Sequence, residues 1–133
     1  MSAPGMDKSM RNPLAQARGL GSAKDGVHHW WMQRLTAIAL ALLSPWFIWL
    51  LLSLLGASHA EVRSTLANPR CALPLLAFVL ALFWHAKLGL QVVIEDYVHT
   101  RWMEVALQVV MTFACALGAL ASVFAIMRIV LAH

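Results

Sequence analysis

The sequence predicts an all-α membrane protein built on three transmembrane helices. Three observations carry that reading: an extreme apolar composition, charge-free runs of bilayer length, and connections too short to hold a soluble domain. Of 133 residues, 61% are hydrophobic and only 12% charged, against about 45–50% apolar and 25% charged in an ordinary soluble domain. Mean hydropathy is +0.72. A hydrocarbon core of about 30 Å takes roughly 20 helical residues to cross. Leu35 to Leu55 and Val105 to Met127 carry no charge, and Cys71 to Ile94 is a third apolar run, interrupted by His85 and Lys87.

The elements follow in order. Residues 1–33 form a polar arm dotted with Gly and Pro, and residues 34–133 form the three-helix unit, with helices expected at about 34–56, 71–96 and 104–128. A secretory signal puts a short apolar segment directly after a basic start. Here the first apolar run opens only near Leu35 and is longer, so it reads as a retained helix. Pro45 lies inside it and removes a backbone donor, which predicts a kink. In the third helix Ala114, Gly118 and Ser122 recur at four-residue intervals, the small-residue seam that lets membrane helices approach closely. Cys71 and Cys115 fall on different helices without metal-like spacing and read as packing residues. No Walker loop, GxSxG or HExxH motif occurs. The net charge of +4 calls for no nucleic acid, because basic residues flanking membrane helices serve to orient them.

Lys8, Arg11, Arg18, Lys24, Arg34 and Arg101 lie on one side of the three spans, and Arg63, Arg70 and Arg128 on the other. Positive residues favour the cytoplasmic side of short loops, so the N-terminus is expected inside and the C-terminus outside. Trp30, Trp31 and Trp102 then sit at the inner interface, where amphipathic indoles are favoured.

The candidate site lies in HAKLGLQVVIEDYVH, residues 85–99. His85 falls near the middle of the second span, and a polar residue at that depth is a functional hypothesis by default. Asp96, eleven residues on, lies only about 20° off the same helical face and roughly 16 Å nearer the inner surface, with Tyr97 beside it. Gly89, one turn after His85, removes the side chain next to the imidazole and leaves a flat groove for a large planar ligand. Taken singly, His85 reads equally as a hydrogen-bonding residue or a metal ligand. Glu95 reads as the hydrated helix end, and Lys87, about 200° from His85, as a snorkelling cation. Arg34 opens the first helix at the same inner level as the Asp96–Tyr97 pair, with His28 just before it. It reads either as an orientation signal or as part of a site for a carbonyl-bearing, lipid-soluble molecule.

With these residues in view, His85, Gly89, Asp96 and Tyr97 at their intervals, together with VHHWWMQRLTAIAL around Arg34, resemble the family of hydrophobic membrane anchors of bacterial succinate dehydrogenase, respiratory complex II. The likeness covers about residues 19–130. It implies a bundle formed with a second three-helix anchor, the cytochrome b anchor subunit, beneath an iron–sulfur subunit and a flavoprotein subunit in the bacterial inner membrane. It also implies that this chain performs no succinate chemistry itself. By the resemblance, His85 is an axial ligand of a b-type haem whose other ligand comes from the cytochrome b anchor, and Gly89 and His28 lie in the haem's vicinity. Tyr97 matches the tyrosine that hydrogen-bonds ubiquinone, Asp96 the acid that tunes that site, and Arg34 the arginine near the quinone and the haem propionates. Lys87, His29 with its two tryptophans, and residues 1–18 depart from the family pattern. Two rivals stand beside this reading: a haem-free anchor of a fumarate reductase-type complex, and a small proton-coupled transporter. Against the transporter, three helices are few and no acid lies at mid-depth.

Overall fold

The computed structural model describes residues 23–132. The earlier part of the polar arm, with Lys8, Arg11 and Arg18 of the charge count, lies outside the described residues. Four helices follow one another: α1 (Ala23–Ser53), α2 (His59–Ala67), α3 (Pro69–Tyr97) and α4 (Arg101–Leu131). Of these, α1, α3 and α4 are long and apolar enough to cross a membrane, as expected.

The helix ends differ from the expected ones for a physical reason. Hydropathy marks which residues suit hydrocarbon, whereas the backbone ladder continues wherever no residue breaks it. Thus α1 begins at Ala23, well before the charge-free run, and passes Pro45 as one continuous helix. The turn joining α3 to α4 shrinks to residues 98–100. Within the longer connection lies α2, a helix that hydropathy did not reveal. Its signal is Ser58-His59-Ala60-Glu61: the Ser58 hydroxyl accepts from the Glu61 amide, and the Glu61 carboxylate accepts from the Ser58 amide at 2.7 Å. Asn68 then closes α2 and opens α3, accepting from the Arg70 amide at 3.0 Å with Pro69 in the first helical turn. Gly56, at φ +80, supplies the left-handed residue that turns the chain after α1.

The three long helices stand in a row. α3 packs against α1 on one side and α4 on the other, while α1 and α4 make no close backbone approach to each other among the described residues. The small buried set accordingly centres on α3, at Cys71, Ala72, Phe78 and Leu88. Apolar association gains little between helices in lipid, so close contact decides the packing. On the α1 side, the Phe47 and Phe78 rings stack with centroids 4.4 Å apart. On the α4 side, Gly118 receives the Phe83 ring so closely that a Cβ there would meet Phe83 Cε1 at 2.5 Å. Ser122 is half-buried, its hydroxyl donating to the Gly118 carbonyl at 2.8 Å. Ala114 is exposed, so the small-residue seam is shorter than its spacing suggested. Both cysteines are free thiols, Cys71 buried and Cys115 half-buried.

Two outcomes of this packing are measurable. Gly118→Val overpacks the α3–α4 seam and destabilises it by about 1–3 kcal/mol, read as a lowered denaturation midpoint in detergent, and adding Phe83→Ala restores part of the loss. The Glu61 carboxyl is held below its ordinary range, chiefly by the Ser58 amide. Its cap is therefore complete above the ordinary carboxylate pKa and is lost as pH falls through the lowered value. Hydrogen-exchange protection at the Ser58 amide, corrected for intrinsic rate, should fade with acidification in wild type and stay low at every pH in Glu61→Ala.

Candidate functional site

The site forms where α1 and α3 meet at mid-length. His85 is half-buried there, and its Nδ1 lies 3.0 Å from Oγ1 of Thr36 on α1. The same Oγ1 stands 2.9 Å from the Met32 carbonyl oxygen and 3.0 Å from that of Gln33. Thr36 is only 8% exposed and is the buried polar residue of this seam. Sequence reading did not single it out, because a threonine in an apolar run is ordinary; its meaning comes from the imidazole opposite.

Beside this pair opens a cleft of about 290 Å³ lined by Trp30, Gln33, Arg34, Ala37 and His85. Arg34 and His85, far apart in the chain, thus share one cavity, so Arg34 stands at the level of His85 and not, as its place before the apolar run suggested, at that of the Asp96–Tyr97 pair roughly 16 Å further along α3. The Arg34 guanidinium carbon sits 5.4 Å from the Trp30 ring centroid, within cation–π range. That contact steadies the cation at the cleft wall while leaving the residue exposed. Next to His85 along α3, a Cβ added at Gly89 would meet nothing within 4 Å.

Asp96 and Tyr97 end α3 and are exposed, Tyr97 by 79%. Because α3 runs unbroken from Pro69 to Tyr97, the eleven-residue interval from His85 to Asp96 keeps its helical phase. His28 is exposed on α1, whereas its neighbour His29 is half-buried with Nε2 covered and without a hydrogen-bond partner. It is therefore the second histidine of the pair that turns inward. Glu95, expected to be only a hydrated helix end, accepts from Gln91 Nε2 at 2.9 Å and from Gln108 Nε2 of α4 at 3.3 Å, bridging two helices. The Lys87 ammonium lies 5.8 Å from the Trp84 ring centroid on its own helix. Trp30, Trp31 and Trp102 are exposed.

A row of apolar helices that carries its polar groups in an outward-facing cleft and at an exposed helix end defines a multi-pass membrane subunit built to work against neighbours. Residues 8–119 match the family model described as the succinate dehydrogenase/fumarate reductase transmembrane subunit. The curated relatives agree. A succinate dehydrogenase hydrophobic membrane anchor subunit of Rickettsia bellii is 41% identical over 93 residues, covering 70% of this chain and 74% of that one. Its counterpart in Rickettsia conorii is 35% identical, covering 85% and 90%. That of Paracoccus denitrificans is 31% identical, covering 87% and 89%. The chain belongs to this family, as a membrane anchor subunit of succinate dehydrogenase.

Proposed function

We propose that this anchor holds a b-type haem through His85, shared with a cytochrome b anchor subunit, and binds ubiquinone through Tyr97, Asp96 and Arg34. The observation that carries the reading is the α1–α3 cleft, which the His85 imidazole and the Arg34 side chain line together. Among the described residues no three His, Cys, Asp or Glu side chains converge as a metal site. A haem carries its own ring nitrogens, so His85 would be the residue by which this chain holds it. A single imidazole is thus compatible with a haem held jointly with a second chain. Gly89 adds no side chain beside His85, where a macrocycle would lie. When bound, the haem supplies one-electron storage at a potential tuned by its ligands and burial.

The chain's own groups do the rest. Arg34 offers a planar cation suited to a carboxylate or to charge growing on a quinone oxygen. Tyr97 donates its phenolic proton as a hydrogen bond to a quinone carbonyl, and Asp96 beside it orients the phenol or passes a proton from the adjacent water. The exposure of both leaves them available to a quinone held between this chain, the cytochrome b anchor and an iron–sulfur subunit. The succinate chemistry belongs to a flavoprotein subunit, and His28, exposed on α1, contributes to the haem's surroundings. The excess of basic residues ahead of the charge-free run of α1 and at the turn between α3 and α4 supports an N-terminus on the cytoplasmic side of the bacterial inner membrane and a periplasmic C-terminus. Three spans agree with opposite ends, and so does the Arg63 bond to the Ala132 carbonyl at 3.4 Å, which joins α2 to the far end of α4.

The purified complex is expected to show a haem b band in its dithionite-reduced minus oxidised spectrum, and His85→Ala to lose it. An unchanged band in that variant rejects the ligand assignment, and no band in the wild type favours the haem-free form of anchor. Tyr97→Phe should leave the band intact while lowering ubiquinone reduction by on the order of 10²-fold, the usual cost of removing one donor to developing oxyanion charge.

A further inference from the structure

We infer that Thr36 is a positioning residue that sets the tautomer of His85, keeping the proton on Nδ1 and the lone pair on Nε2. The inference rests on the haem reading above for its consequence, but the geometry behind it is independent. A threonine hydroxyl has one proton and two lone pairs. Three partners surround Thr36 Oγ1: the Met32 and Gln33 carbonyl oxygens at 2.9 and 3.0 Å, and His85 Nδ1 at 3.0 Å. The carbonyls can only accept. Threonine in a helix habitually returns its proton to the carbonyl one turn earlier, and here both candidate carbonyls are in range. With the proton committed there, the remaining contact is a bond in which Nδ1–H donates to a lone pair of Oγ1.

The chain of bonds runs one way, from imidazole N–H to hydroxyl to carbonyl. Each bond polarises the next, which makes Oγ1 a better acceptor than an isolated hydroxyl. Burial of Thr36 keeps water from offering an alternative partner. Nε2 is then the unprotonated nitrogen, the form a metal ligand requires, and donation from Nδ1 raises its basicity. A more basic axial nitrogen favours the oxidised iron, so the Thr36 bond lowers the potential of the bound haem. Arg34 and Gln33 share the cleft with His85 and are within one turn of Thr36. The same turn of α1 therefore supplies both the group that fixes the imidazole and the cation beside it.

The test uses the whole complex with Thr36→Val, which keeps the volume but cannot accept, and Thr36→Ser, which keeps the hydroxyl. Thr36→Val should shift the haem midpoint potential to a more positive value and weaken haem retention by about 10–100-fold, while Thr36→Ser stays close to wild type. A valine variant with unchanged potential and retention overturns the inference, as does a serine variant that behaves like valine. The second measurement is the ¹⁵N shift of the His85 ring nitrogens in the wild-type complex, which needs no variant to assemble. A proton on Nδ1 upholds the tautomer assignment and a proton on Nε2 overturns it. Absence of the haem band in wild type would sink the haem reading alone, since the nitrogen shifts still decide the role of Thr36.

Discussion

A bilayer interior holds no water to satisfy a stray polar group, so each one must find its partner within protein. The Thr36–His85 bond is where α1 and α3 meet that demand. Phe47 lies eleven residues beyond Thr36, about 20° from the same face, and Phe78 lies seven before His85, again within about 20°. The hydrogen bond and the ring stack therefore lie along one seam between α1 and α3. Phe83, two residues from His85 and about 200° around the helix, is thereby aimed at the opposite neighbour, where Gly118 makes room for it. One polar contact and its two aromatic companions set which face of α3 meets which helix.

The row architecture follows, with consequences for function. With α3 flanked on both sides, its remaining faces stay open, and most large apolar side chains on the outer helices are exposed. Such a surface suits lipid and partner subunits alike. The groups with chemical potential lie on the same open faces: Arg34 at the cleft, Asp96 and Tyr97 at the end of α3. A site completed by neighbours needs its polar groups presented outward on a firm backbone. The ends of the row supply the firmness, through the Glu95 bridge to Gln108 at one end and the capped α2 at the other.

Much of this was legible in the chain itself. Three spans followed from apolar runs of bilayer length, two of them charge-free, because hydrocarbon leaves the backbone little choice but a helix. The interval from His85 to Asp96 was legible too, since helical phase is a local property. The ends of α1 and the existence of α2 were harder. Residues 23–33 are polar and helical, and α2 announces itself only through the Ser58–Glu61 capping pattern, which hydropathy ignores. Equally hidden was the inward turn of His29 rather than His28, a difference of one residue, or about 100°, that only the packing of α1 resolves.

The linear order of residues thus determined the membrane class, the number of spans and the helix that carries His85, all consequences of solvent and helix geometry acting within single segments. Tertiary structure alone decided that Thr36 meets His85, that Arg34 lines the same cleft, and that Glu95 reaches Gln108. Those pairings join segments whose relative rotation no local rule specifies. In lipid, where apolar surfaces are nearly interchangeable, rotation is settled by a few contacts of matching shape and hydrogen-bonding capacity, and these exist only once the helices have come together.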